Sequence, residues 1–415
     1  MQTSSIFNHL FSVKSSLILP VLLMTAPSPA LADDWMSRLD DGAYLTQLSI
    51  PGTHDAATGN GFSDDWTDFG ESFARTQALP LDQQWASGIR AFDLRPAVTE
   101  EGLHIYHGII PTQLSFADAL HLLRDSLEAH PTEFAIVILR HEDDSESDAD
   151  KNRWTRLMKD VVAEPELAAI IQPFSRNLTV ADMRGRLLLL SRNAYQGSRG
   201  GIISGWSNSA KTADQRQATI THATGSLKAP LYCQDFYDCS ADGATTTKTN
   251  TLRAMLDYST KQHTARSNTY TWVINHTSGY TLTSWGISTS DGYRDNAARQ
   301  NAAVIEYLAD EAHQGPTGIV MMDFAGVDRS GDFDVMGMTL IRALIDNNFR
   351  YTPKVNPQVG IHDLTQTDPQ QATSHPADSC TSSTSLYYDL NGRKTNHPST
   401  WPGIYIHDGK KYLVP

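Results

Sequence analysis

The chain has 415 residues, with 33 Lys and Arg against 47 Asp and Glu, and a formal charge of −14. That acidic balance excludes a basic nucleic-acid-binding surface and bulk attraction to an anionic membrane. If the ligand is anionic, the positive charge that receives it must be gathered inside a pocket.

The first 32 residues read as a leader rather than as fold. Lys14 precedes an apolar run from Leu17 to Met24, and Ala30-Leu31-Ala32 stands before Asp33. A weakly positive start, a short apolar stretch and a small-x-small site make a signal peptide. Pro20, Pro27 and Pro29 break the run, which argues against a membrane anchor. The mature chain, from residue 33, is expected to be secreted or periplasmic. Removing the leader removes Lys14 and no carboxylate, so it leaves the chain more acidic.

Short apolar runs then recur at residues 47–51, 89–94, 103–107, 134–139, 186–191, 231–234, 271–275 and 318–323. Most are continuous rather than alternating, as in parallel strands covered on both faces. Helix-period segments lie between several of them, at 115–130, 152–163, 247–261 and 293–313. The first opens on Ser115 and Asp118, an N-cap and an acidic first turn. Eight strands with intervening helices predict an α/β fold, a distorted (β/α) TIM-like barrel over residues 33–353. Residues 354–415 form an irregular extension rich in Pro, Ser, Thr, Asn and Gln, closing in a small hairpin about Asp408-Gly409. Cys233 and Cys239 are six apart and could close a loop in an oxidising compartment, leaving Cys380 free. The cysteine spacing matches no zinc site.

Chemistry-bearing residues collect at the ends of these runs. His54 and Asp55 follow the first in Pro51-Gly-Thr-His-Asp. Asp93 closes the second, with Arg95 two residues on, and His107 closes the third. Arg140, Arg192 and Asp235 follow the fourth, fifth and sixth, and Asp323 closes the eighth. Barrel enzymes build their sites at that end of the strands. Asp93 and Arg95 share a strand face. They read either as a structural ion pair or as a phosphate clamp, since a guanidinium matches phosphate in a bidentate way. Two histidines around one arginine suit phosphodiester transfer to an internal hydroxyl: one takes the proton of the attacking hydroxyl and the other protonates the leaving oxygen. No metal or other cofactor is needed if arginine neutralises the developing charge. Arg140 and Arg192 read as pocket cations or as surface charge. Trp206, in the glycine-rich stretch 200–210, and Trp285 read as interfacial anchors or as rim packing. Asn275-His276-Thr277 ends a strand and matches the N-x-T pattern only.

Five segments in order, Pro51-Gly-Thr-His54-Asp55, Phe92-Asp93-Leu-Arg95, Ile105-Tyr-His107-Gly108, Tyr232-Cys-Gln-Asp235-Phe-Tyr237 and Met321-Met-Asp323-Phe324, resemble the bacterial phosphatidylinositol-specific phospholipase C family of the X-domain type. The resemblance covers roughly residues 40–350. It implies His54 as general base with Asp323 as its carboxylate, and His107 as general acid with Asp55. It implies Arg95, oriented by Asp93, as phosphate clamp, and Arg140, Arg192, Asp235 and Tyr237 as head-group contacts. Where Arg140 stands, the family often has lysine. Arginine at position 95, where calcium-dependent relatives have a metal-ligating carboxylate, implies a metal-independent enzyme. The implied products are diacylglycerol and inositol 1,2-cyclic phosphate. The implied partner is phosphatidylinositol at a membrane surface, met by transient contact, with the protein a monomer. A glycerophosphodiester phosphodiesterase would carry a histidine followed by Arg-Gly and a set of metal-binding carboxylates, and neither is present. A non-catalytic lipid- or polyol-binding barrel would have lost a histidine or Arg95, and all are retained.

Overall fold

A computed structural model of the protein describes residues 34–142, 147–207, 216–264, 269–282, 288–357, 387–389, 394–395, 403–407 and 410–414. The leader, Trp285, Cys380 and the turn residues Asp408 and Gly409 lie outside these.

Twelve strands precede residue 357: β1 (Ser49–Thr53), β2 (Ala91–Leu94), β3 (Pro96–Val98), β4 (Leu103–His107), β5 (Ile110–Ser115) and β6 (Ala135–Leu139), then β7 (Leu187–Ser191), β8 (Gly201–Ser204), β9 (Arg216–His222), β10 (Lys228–Gln234), β11 (Trp272–His276) and β12 (Gly318–Met322). Nine of them close a barrel in the order β1-β12-β11-β10-β9-β8-β7-β6-β2. The α/β barrel expected from the sequence is therefore present. Its parallel members are the continuous apolar runs: every residue of β6, β7, β11 and β12 is buried. Helices wrap outside and in doing so cover the second face of these strands.

Two strand expectations need correction. Residues 103–107 form a strand outside the barrel, as the centre of the antiparallel sheet β3-β4-β5. Only Gly108 and Ile109 separate β4 from β5, a link too short for anything but a hairpin. β8 and β9 enter the barrel instead. β9 runs antiparallel to both β8 and β10, with Gly201 facing His222 and Leu231 facing Ala218. Its sequence, Arg-Gln-Ala-Thr-Ile-Thr-His, buries Ala218 and Ile220 in alternation and offers no continuous apolar run.

The four expected helices are Phe116–Ala129, Asp148–Val162, Ala244–Thr264 and Ser290–Ala309. The Ser115 side chain accepts the Asp118 N–H as the cap of the first. Phe116, Ala119, Leu120, Leu123 and Leu127 then fall on its buried stripe. At the end of the barrel away from the site, Arg90 pairs with Glu133 at 2.9 Å, both fully buried. Among the described residues no helix is long and apolar enough to cross a membrane.

Chain beyond the barrel stays tied to it as far as Asn356, whose N–H donates to Gly42 O at 2.7 Å. A separate antiparallel sheet has the order β14-β13-β15-β16, from β13 (Tyr387–Asp389), β14 (Lys394–Thr395), β15 (Gly403–His407) and β16 (Lys410–Val414). β15 and β16 are the arms of the expected hairpin, pairing Gly403 with Val414 and His407 with Lys410. Cys233 and Cys239 are both buried free thiols, so the loop closure between them is absent. Cys233 packs in the main core, and Cys239 packs with Phe236 and Ala244.

Candidate active site

At the mouth of β1 the backbone delivers His54 and then turns sharply. His54 N–H donates to Met322 O at 3.1 Å, and Asp55 takes a left-handed φ of 44°. Aspartate is among the residues that tolerate that region. The turn aims both side chains inward. His54 Nδ1 lies 2.9 Å from Asp323 Oδ1, and its Nε2 lies 3.2 Å from Asp55 Oδ2. The other oxygen of Asp323 accepts the Gly279 N–H at 3.2 Å, which fixes the carboxylate. Burial alone would push the His54 pKa down, but Asp55 and Asp323 outweigh it and raise it to about 9. Gln77 braces this corner: its Nε2 donates to His54 O and Met322 O at 2.8 and 2.9 Å, and its Oε1 accepts the Ala325 N–H at 3.0 Å.

Arg95 lies across two carboxylates. It donates to Asp93 Oδ2 from Nη2 at 2.7 Å and from Nε at 3.0 Å, and its Nε is 2.8 Å from Asp55 Oδ1. Asp93 Oδ2 also accepts the Asp55 N–H at 3.3 Å. Burial opposes ionisation of Asp93, yet Arg95 and His54 hold it well below the usual carboxylate range. Burial likewise opposes the charge on Arg95, and Asp55, Asp93 and Glu142 overcome it. His54, Asp55 and Asp93 bring ligand atoms within 4.8 Å of one another, a spacing that would suit a cation. The guanidinium already supplies that charge to both carboxylates.

His107 reaches the same place from β4. Its Nδ1 donates to Ala74 O at 2.7 Å, because a carbonyl can only accept. The proton assignment leaves Nε2 facing the site, 3.5 Å from Asp55 Oδ2 and 3.5 Å from the Tyr293 hydroxyl. The His54 and His107 rings are 6.5 Å apart between centroids, with the Asp55 carboxylate between them.

Of the remaining expected residues, Arg192 and Asp235 form one wall with Trp206. Arg192, after β7, lies over the Trp206 ring at 4.4 Å, and Trp206 Nε1 donates to Asp235 Oδ2 at 2.9 Å. Burial lowers the Arg192 pKa against the pull of Asp235. Burial raises that of Asp235, and His276 and Arg192 more than reverse it. Arg140, after β6, is partly exposed, with Nε 3.7 Å from Glu142 Oε2. Arg95 and Arg140 both add to the lowering of the Arg192 pKa. Tyr237 is more remote. It starts an aromatic row in which its ring is 6.0 Å from Tyr280, Tyr280 is 6.0 Å from Tyr293, and Tyr293 is 5.7 Å from His107.

Several members of the site escaped the sequence reading. Of the two readings of Trp206, interfacial anchor or rim packing, its contacts with Arg192 and Asp235 fit packing, and its bond to Asp235 is the part that escaped. Glu142 is buried, accepts the Gly108 N–H at 2.7 Å and stands 3.8 Å from Arg95. His276, at the end of β11, has its ring 6.2 Å from that of His54 and 5.8 Å from Trp206. Burial lowers its pKa to about 4 despite Asp235. The rule of polar residues at strand ends would have flagged Glu142 and His276. Nothing local flags Gln77 or Tyr293.

No protein-family model matches the chain. Among curated proteins, it is 35% identical over 161 residues to the 1-phosphatidylinositol phosphodiesterase of Listeria monocytogenes, covering 38% of this chain and 48% of the relative. It is 26% identical over 216 residues to the protein of that name from Staphylococcus aureus strain Newman, covering 50% and 66%. The chain thus spans about half to two thirds of the length of the curated relatives it matches. The resemblance seen in the motifs is therefore shared, over part of the chain, by these curated proteins. Among solved structures, the S. aureus phosphatidylinositol-specific phospholipase C aligns with a TM-score of 0.59 at 21% identity, over 77% of this chain and 98% of that one. The L. monocytogenes enzyme aligns with a TM-score of 0.56 at 23% identity, over 76% and 98%. These proteins share the barrel fold of this chain.

Proposed function

We propose that the protein is a phospholipase C that cleaves phosphatidylinositol to diacylglycerol and inositol 1,2-cyclic phosphate. The observation that carries this is the grouping of two imidazoles and a guanidinium about one carboxylate, Asp55, on the strand-end face of the barrel. His54 Nε2 takes the proton of the inositol 2-hydroxyl, while Asp323 holds Nδ1 and supports the imidazolium. The 2-oxygen bonds to phosphorus as the bond to the glycerol oxygen breaks. His107 Nε2 gives that oxygen its proton. Asp55 supports the acid, and Arg95, oriented by Asp93, neutralises the charge that develops on the phosphoryl oxygens. Arg140, Arg192, Asp235 and Tyr237 hold the head group. Hydrolysis of the cyclic ester reuses the histidines in reversed roles.

The lipid surface is met by the rim beside His107. Ile109 is 74% exposed and Phe69 is 48% exposed, and Ala74, just past the short helix carrying Phe69, is the residue that bonds His107. Solvent-facing apolar side chains beside a site rimmed by polar groups suit membrane contact. A secreted or periplasmic location rests on the leader at residues 1–32.

Phosphorus NMR of phosphatidylinositol vesicles, with protein and a chelator present, tests the reading. The expected result is a cyclic phosphate resonance that survives chelation. No cleavage, or strict dependence on calcium, would overturn it.

A further inference from the structure

Tyr293 stands on the helix Ser290–Ala309, far in sequence from every motif of the site, yet its hydroxyl is 3.5 Å from His107 Nε2. That nitrogen is the one that must carry the proton to the leaving oxygen, because Nδ1 is committed to the Ala74 carbonyl at 2.7 Å. We propose that Tyr293 is a positioning residue for the general acid, donating its O–H to His107 Nε2 whenever that nitrogen has given up its proton. This inference rests on the phospholipase reading above.

The direction of the bond follows from the tautomer. With Nδ1–H fixed on Ala74, neutral His107 has its lone pair on Nε2, and only a donor can satisfy it. Asp55, 3.5 Å from the same nitrogen, cannot donate when ionised. Tyr293 can, and it remains a neutral phenol. Burial raises its pKa first, and Asp55, Asp323 and Tyr280 raise it further against the opposing Arg95. The ring is nearly buried and is held by contacts with Tyr280 and His107, so the hydroxyl has a fixed place. Asp55 and Tyr293 thus face one nitrogen with opposite preferences. The carboxylate favours the imidazolium before transfer, and the hydroxyl favours the neutral ring after it. As the bond from phosphorus to the glycerol oxygen breaks, its electron pair stays on oxygen, oxygen takes the proton, and the emptied Nε2 accepts the Tyr293 hydrogen.

The test compares two substrates that differ in their need for an acid: phosphatidylinositol, whose alkoxide leaves poorly, and the nitrophenyl ester of inositol 1-phosphate, whose leaving group needs no proton. Tyr293→Phe keeps the ring and both aromatic contacts. It is expected to lower kcat about tenfold on the lipid and to leave the nitrophenyl ester unchanged within about twofold. The basic limb of its pH profile on the lipid should move upward, because loss of the donor favours charged His107. Equal losses on both substrates, or no loss on the lipid, would overturn the proposal. If Tyr293→Phe does not fold, 3-fluorotyrosine at position 293 serves instead. Its stronger donor should move the basic limb down, and an unmoved limb would overturn the proposal. Failure of the wild type to cleave either ester would instead sink the underlying phospholipase reading.

Discussion

The base and the acid of the site are built on unlike foundations. His54 sits at the mouth of a barrel strand, just past β1, between carboxylates on both ring nitrogens, with Gln77 bracing the ends of β1 and β12. His107 sits on the small sheet β3-β4-β5, outside the barrel, and is held by one backbone carbonyl, one tyrosine and one shared carboxylate. The base is therefore fixed by the same closed hydrogen-bond ring that stabilises the fold. The acid is carried on an appendage and is aligned by side chains reaching out to it. Asp55 and Arg95 are the joint between the two.

The largest test of this contrast removes each ring in turn. His54→Ala and His107→Ala should each lower turnover of phosphatidylinositol by a factor of about a hundred or more. Cleavage that persists in both variants would refute the assignment of either histidine. On a substrate with a nitrophenolate leaving group the two should part: His107→Ala recovers and His54→Ala does not.

A second test acts on the base alone. Since His54 is raised from 6.5 to about 9, its neutral form is the minor one below that pH in the free protein. Deprotonation of His54 should therefore set a limb of the kcat/KM profile near pH 9. Asp323→Asn removes one of the two carboxylates responsible, so its limb should move to lower pH while the plateau falls about tenfold or more. The same linkage acts on stability. A raised pKa stabilises the fold fully below about 6.5, and the contribution is lost as pH rises through about 9. The wild-type melting temperature should fall across that window and the Asp323→Asn melting temperature should fall less. Parallel curves for the two proteins would show that the pair is not coupled to folding.

The smallest effect belongs to the acid side. Glu142→Ala frees the Gly108 N–H and loosens the turn after His107. A loss of about 1 kcal/mol in denaturant unfolding is expected, with a severalfold fall in kcat. If kcat is unchanged while stability drops, Glu142 braces the sheet without aligning His107.

The same contrast explains what could be read from the chain beforehand. The parallel strands announce themselves because burial on both faces demands unbroken apolar runs, as in Ala135–Leu139 and Leu187–Ser191. His54, Asp323 and the arginines were visible because they follow those runs directly, and His107 because it closes the short run of β4. β9 was hidden because a reversed strand with one wetter face spaces its apolar residues, and Ala218 and Ile220 stand between polar neighbours; β8 was hidden because Gly201–Ser204 holds only two apolar residues. β4 was misplaced in the barrel because a short apolar run does not say which sheet it joins. Tyr293, Gln77 and the role of Trp206 were illegible for a different reason. Their meaning lies in a partner contributed by a distant part of the chain, and a linear pattern carries no record of that.

The reversed strand β9 has one more consequence. In a barrel made only of parallel strands, each return from the mouth requires a helix that must dock on the outer shell. Here β8 reaches the mouth at Ser204 and the chain starts down again at Arg216, with no helix needed for the return. The return is itself a barrel strand, and it adds a member to the ring without adding to the helical coat.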